Sequence, residues 1–278
     1  MNWLIVDNII KNALEEDSSF KDITTSAIVE SNSKCKVELI GKENGIIAGL
    51  PIFKRVFHIL NEVDVKFYAN DGDSVNAGQV LGTIYGNAYN ILVGERIALN
   101  FLQRMSGIAT ITNKAVNLVE GTEAKILDTR KTTPNLRILE KYAVTIGGGY
   151  NHRFNLSDGI LIKDNHISAA GGIMEAILKV KKSLPMGNKI EVETETLEEV
   201  KEAIAAGADI IMLDNMNIET MKRAVGIIGN KCSTEASGNI NLDNIRAVAN
   251  TGVNFISLGM LTHTIYSLDI SMKNLSWI

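Results

Sequence analysis

The chain has 278 residues, enough for one large domain or two smaller ones with an ample core. Its 28 Lys and Arg stand against 32 Asp and Glu, a net charge of −4. Bulk electrostatics therefore favour neither nucleic acid nor an anionic membrane, and any anion site must be a local concentration of positive charge. The two cysteines, Cys35 and Cys232, lie far apart, without CxxC or metal-ligand spacing, and read as buried apolar filler in a reduced compartment. Asp7 interrupts the first apolar stretch, which lacks a basic start and a small-residue cleavage site. No apolar run approaches membrane-spanning length, so a cytoplasmic protein is expected.

In chain order, Leu4, Val6, Ile9, Ile10 and Leu14 fall near helical spacing and predict an amphipathic helix over residues 3–14. From 35 to 93, short β-rich runs (CKVELIG, IIAGL, DVKFYA, VLGTIYG) alternate with Gly, Asn and Asp turns and predict a sheet-containing N-terminal domain. The stretch DGDSVNAGQVLGTIYG is similar to hairpins of biotin- and lipoyl-carrying domains, but it holds no lysine to carry a prosthetic group and reads as a structural hairpin. Residues 95–119 are helical in pattern, with Gly107 a candidate break. The expected domains are 1–107 and 108–278, the last residues returning to the first domain.

Beyond Gly107 strand-like runs alternate with punctuated helices. Thr133 is placed to cap a helix opening at Pro134 and ended by Gly147, Gly148 and Gly149. Thr196 with Glu199 forms a capping box, Gly207 stops that helix, and Asn241 and Gly252 bracket another. Strands are predicted near Ile126, Leu161, Val192, Ile211, Ser233 and Ile256. Repeated βα units imply a parallel sheet with right-handed crossovers. Six strands fall short of the eight of a closed TIM barrel, leaving two disguised strands or an incomplete barrel as alternatives.

Ligands of parallel βα folds bind beyond the carboxyl ends of the strands. Those ends are unusual here. The first bears Thr129, Arg130 and Lys131; the second Lys163, Asp164, Asn165 and His166; the third Glu191 and Glu193 on one face; the fourth Asp214. His152 and Arg153 follow the glycine run between the first two strands. One strand-end charge is ordinarily a cap or a surface ion pair, but recurrence at four successive strands points to a site. After the last two strands, Ser237, Gly238 and Asn239, then Gly259 and Met260, are small-residue turns of the kind that bring backbone N–H groups to a phosphate. Arg130, Lys131, Arg153 and Lys163 would repel one another unless a polyanion joined them. Glu193 and Asp214 suit hydrated Mg²⁺ on a pyrophosphate, or a sugar transition state with positive charge.

The segments DTRKTTP, EKYAV, GGGYNHR, LIKDNH, LDNM, EASG and SLGMLTH, preceded by ERIALNFLQRMSGIAT, resemble in order and spacing the signature of quinolinate phosphoribosyltransferases, from about Glu95 to His263. The resemblance implies an N-terminal α/β sandwich, an open α/β barrel of TIM-like type, and a homodimer with shared active sites. It implies a pentosyltransferase of de novo NAD biosynthesis, converting quinolinate and phosphoribosyl pyrophosphate, with Mg²⁺, to nicotinate mononucleotide, pyrophosphate and carbon dioxide. Arg96 would reach the neighbouring subunit's substrate. Thr129, Arg130, Lys131, His152, Arg153 and Lys163 would bind the dicarboxylate and diphosphate. Glu193 and Asp214 would face the ribose and the metal, directly or through substrate or water, and Ser237, Gly238, Asn239, Leu258, Gly259 and Met260 would hold the 5′-phosphate. Lys131, Lys163, Glu193 and Asp214 are the expected catalytic group. Asn135 and Asn239 depart from the family pattern, each standing where a glycine is usual.

Three rivals stand beside this reading. A phosphoribosyltransferase-like protein of molybdenum-associated gene clusters shares the barrel but usually lacks an intact LIKDNH segment. Nicotinate phosphoribosyltransferase handles a monocarboxylate, for which this many cations are excessive. A non-catalytic phosphoribosyl-ligand sensor would be expected to have lost Glu193 or Asp214.

Overall fold

The computed structural model describes residues 1–18, 21–30, 32–183 and 187–278. They divide into two compact units. The first comprises Met1–Asn113, Thr132–Gly148 and Leu261–Ile278, the second Lys114–Lys131 and Gly149–Met260.

The first unit opens with helices α1 (Trp3–Asp17) and α2 (Ile23–Ile28), capped by the side chains of Asn2 and Asp22. Strand β1 (Lys34–Gly41), the short β2 (Gly45–Ile46), helix α3 (Leu50–Leu60) and strands β3 (Val63–Phe67), β4 (Ser74–Val75) and β5 (Val80–Asn87) follow. An antiparallel sheet runs β12-β1-β5-β3, its edge strand β12 (Ile270–Trp277) coming from the end of the chain. The run IIAGL, read as strand, is strand only at Ile46 in β2 and ends at Leu50 as the first residue of α3. Gly49, at φ 105°, and Pro51 in the first turn start the helix, which buries Leu50, Ile52, Phe53, Val56 and Phe57. Phe53 packs edge-on against Phe57 and Phe67, joining helix to sheet.

Three expectations differ from the structure. The stretch from Asp71 to Gly86 is no hairpin: β4 pairs with β2, and β5 with β1 and β3. The turn at Asn76–Gln79 donates the Gly78 N–H to the Gly41 carbonyl and carries the chain between the two ladders. Helix α4 (Ala88–Leu118) runs through Gly107 without a break. A Cβ at Gly107 would stand 2.1 Å from the Tyr266 carbonyl oxygen, so the glycine allows a close backbone approach. Helix α5 (Arg137–Ile146) likewise begins later than Pro134, since Asn135 takes a left-handed φ of 67° that no helical first turn accommodates. Gly147 ends it as expected.

The second unit is a six-stranded parallel sheet in the order β6-β11-β10-β9-β8-β7, comprising β6 (Lys125–Leu127), β7 (Ile160–Ile162), β8 (Ile190–Thr194), β9 (Ile210–Asp214), β10 (Ser233–Ser237) and β11 (Phe255–Ser257). All six predicted strands are present. Among the described residues no ladder joins β6 to β7, only a bridge between Leu127 and Tyr150, so the barrel is open there. Helices α6 (Asp164–Ala170), α7 (Ile173–Ser183), α8 (Leu197–Ala206), α9 (Ile218–Ile228) and α10 (Ile245–Ala249) connect the strands, and α11 (Met260–His263) follows β11. The Thr196–Glu199 capping box and the left-handed Gly207 frame α8 as the sequence predicted.

Candidate active site

Strand alternation sends Glu191 and Glu193 of β8 to one face, and burial increases away from the strand's carboxyl end: Glu191 is buried, Glu193 half-buried. Lys163, which ends β7 and N-caps α6, forms an ion pair with Glu193. Its backbone N–H donates to His166 Nδ1 at 3.0 Å, so that His166 serves the turn. Arg153 anchors one guanidinium nitrogen on the Gly159 carbonyl at 2.9 Å. Burial and then the nearby Arg130 charge push Arg153 below its usual range, while Glu191 and Glu193 oppose them. Arg153 and Lys163 thus converge on the carboxylates of β8, with Arg130 beside Arg153. Two neighbouring guanidiniums are a ready receptor for an anion.

A second cluster joins the ends of β9 and β10. Asp214 Oδ2 accepts from Asn215 Nδ2 at 2.8 Å, and Asn215 Oδ1 accepts from Asn239 Nδ2 at 3.0 Å. The Asn215 N–H donates to the Ser237 carbonyl. A Cβ at Gly238, φ 86°, would lie 2.2 Å from Asn215 Oδ1, so only glycine fits. Asn239 has φ 51°, the left-handed region that glycine favours and asparagine tolerates, and its place in a glycine position is thereby explained. Its side chain ties the small-residue turn to Asp214.

Below the mouth lies a buried polar cluster. His152 Nε2 stands 2.9 Å from Glu191 Oε2 and 3.6 Å from Glu235 Oε2 of β10. Nδ1 accepts the Arg153 N–H at 2.8 Å, and the His152 N–H donates to the buried Asp128 at 2.9 Å. His152, expected among the ligand-binding groups, therefore has both ring nitrogens engaged within the barrel. Burial and then the Glu191 charge push Glu235 up to about 8, while His152 and the nearby Ser257 oppose them. His152, Glu191 and Glu235 also have the donor types and proximity of a cation site.

Glu191 was read on the β8 face without a role of its own, and Asp128 and Glu235 were not among the predicted site residues. Residue parity carried the missing signal, since Glu235 lies two residues before Ser237 on the same strand and so points to the same face.

The remaining predicted residues divide by place. Thr129 Oγ1 accepts the Lys131 N–H at 3.0 Å, forming the turn that opens after β6 with Lys131 exposed. Leu258 is buried and its N–H donates to the Leu127 carbonyl, so it ends the strand and aims the turn at Gly259 and Met260. Arg96 is exposed on α4, in the first unit.

An open parallel barrel with cations and carboxylates gathered at its strand ends, beside glycine-dependent turns, defines an enzyme that handles a multiply anionic substrate. Two family models match the chain: quinolinate phosphoribosyl transferase, N-terminal domain, over 22–106 and C-terminal domain over 108–273. A Bacillus subtilis protein named a probable nicotinate-nucleotide pyrophosphorylase (carboxylating) is 48% identical over 273 residues, covering 98% of this chain and 94% of its own. The crystal structure of NadC from Streptococcus pyogenes superposes with a TM-score of 0.97 at 44% identity, covering 100% of this chain and 99% of that one. The nicotinate-nucleotide pyrophosphorylase from Francisella tularensis gives 0.93 at 41% identity, over 98% of this chain and 96% of that one. The chain belongs to the quinolinate phosphoribosyltransferase family.

Proposed function

We propose that the mouth of the barrel carries out the family's reaction, transfer of the phosphoribosyl group of phosphoribosyl pyrophosphate to quinolinate, giving nicotinate mononucleotide, pyrophosphate and carbon dioxide. The observation that carries this reading is the convergence of Arg153 and Lys163 on Glu193, with Arg130 beside Arg153. Arg130 and Arg153 hold the two carboxylates, for which planar guanidiniums are suited. Lys131 and Lys163 draw the pyrophosphate, and Lys163 exchanges its pairing with Glu193 for the incoming phosphates. Glu193 and Asp214 then face the ribose and stabilise positive charge growing at its anomeric carbon. The turns at Ser237–Asn239 and Leu258–Met260 receive the 5′-phosphate.

The ring nitrogen attacks the anomeric carbon as the bond to pyrophosphate breaks. Carbon dioxide then departs, leaving its electron pair on the ring carbon beside the positively charged nitrogen, and a proton bonds to that carbon in place of the carboxylate. Most of the rate comes from positioning and electrostatics. The all-oxygen pair Glu193 and Asp214, at the ends of adjacent strands, fits a hard cation held through water or substrate oxygens. Mg²⁺ bound there with the pyrophosphate supplies charge neutralisation for the leaving group. Arg96 completes the site of a second copy in a homodimer. No helix among the described residues is long and apolar enough to cross a membrane, which accords with a cytoplasmic enzyme.

Incubating the protein with phosphoribosyl pyrophosphate, Mg²⁺ and either quinolinate or nicotinate tests the reading. Nicotinate mononucleotide with equimolar carbon dioxide from quinolinate is expected. Product from nicotinate alone would overturn it in favour of the monocarboxylate enzyme.

A further inference from the structure

We propose that Glu235 is a positioning residue for quinolinate, acting through Glu191 and the His152 ring to fix the backbone from which Arg153 reaches the mouth. The inference rests on the assignment of that mouth as the quinolinate site, and deepens it. Glu235 and Glu191 are 1% and 5% exposed. They stand on the alternate strands β10 and β8. One Oε1 oxygen of each lacks a hydrogen-bond partner. Burying such groups is costly, and an apolar residue would be the cheaper filler.

The geometry says what the arrangement achieves. Because Nδ1 of His152 accepts the Arg153 N–H, the ring proton sits on Nε2 and points at Glu191 Oε2. Asp128 holds the N–H of the same residue. The ring is thus clamped at both nitrogens and at its backbone, and the next residue is Arg153. Glu235 stands beside Glu191, its Oε2 3.6 Å from the same Nε2, and a proton between the two carboxylates leaves Glu191, at 2.9 Å, the closer partner of the ring. Glu235 reaches the substrate only through this chain. A divalent cation among the three side chains would be a different arrangement, with Nε2 as ligand in place of donor.

The test compares E235Q with E235L in the full chain. Gln keeps a donor toward Glu191, so E235Q should hold all kinetic constants within about twofold, whereas E235L should raise KM for quinolinate about tenfold and leave KM for phosphoribosyl pyrophosphate within about twofold. A merely structural role would move both KM values together, and that result, or unchanged constants in folded E235L, would overturn the proposal. Histidine ¹⁵N resonances of the unaltered protein give a check independent of folding of the variant, with H152N used for assignment. Nε2–H with bare Nδ1 is expected; a doubly protonated ring or an Nδ1–H tautomer overturns it. Metal analysis after dialysis against chelator also decides, because a stoichiometric divalent ion retained by the parent and absent from E235Q would replace the proton link with a cation. R153A separates the two levels. If R153A abolishes quinolinate turnover while E235L is silent, only the role of Glu235 falls; if R153A is silent, the reading of the mouth falls with it.

Discussion

The two units each bury a carboxylate cluster, and they treat it in opposite ways. In the first, Glu140 is fully buried, yet Oε1 accepts from Arg104 Nε at 2.9 Å and Nη2 at 2.6 Å, while Oε2 accepts the Thr133 N–H at 3.1 Å. In the second, Glu191 and Glu235 share one imidazole and each leaves an oxygen unpartnered. A carboxylate matched by donors on both oxygens belongs to a scaffold, here the turn from Thr132 to Leu136. Two carboxylates competing for one ring are less stable as a fold and more informative as a site, because their cost is placed directly beneath the substrate-facing cations.

If that contrast is right, substitutions in the two units should damage different quantities. The largest effect is expected at R130A, which should lower kcat/KM for quinolinate about a thousandfold and leave the melting temperature near that of the parent. Steady-state kinetics with a thermal melt on the same preparation checks both halves. In the first unit, R104A strands Glu140 with only the Thr133 N–H, and should cost about 3 kcal/mol in chemical denaturation. A loss below about 1 kcal/mol would remove the distinction between the clusters.

The next effect is pH dependence. Glu235 is raised from 4.5 to about 8, so the folded chain binds its proton more tightly than the unfolded chain. The stabilisation is complete below pH 4.5 and lost as pH rises through about 8, with His152, Glu191 and Ser257 the groups that face it. E235Q removes this titration, so its melting temperature should gain on the parent's across that window. A constant difference would place the shared proton elsewhere. The smallest effect is expected at N239G. Glycine adopts φ 51° readily, and an exposed hydrogen bond to Asn215 is lost. KM for phosphoribosyl pyrophosphate should change by less than about threefold.

Much of this was legible in the sequence because chain order and period carry it. The six barrel strands were marked by apolar runs between helix caps, and the charges at their ends were adjacent in the sequence to those runs. What stayed hidden depends on closure of the sheet. Glu235 is a single acid between Thr234 and Ala236, and nothing local says that β10 brings it to Glu191 and His152. Asp128 reads as the opening of a charged loop, whereas it is fully buried and holds the His152 backbone. Helix α3 was hidden for a local reason, since IIAGL is β-rich in composition and the helix begins within it, at Leu50. Asn135 and Asn239 read as departures that a left-handed backbone would tolerate, and both residues have that backbone, at φ 67° and 51°.

The most direct measurement is quinolinate turnover by K163A beside the parent, with a thermal melt of each. Lys163 pairs with Glu193 at the mouth and lies outside the buried cluster. The account predicts nicotinate mononucleotide from the parent, a fall of about a thousandfold in K163A, and closely similar melts. K163A turning over at the parental rate would contradict the assignment of the barrel mouth as the place of reaction.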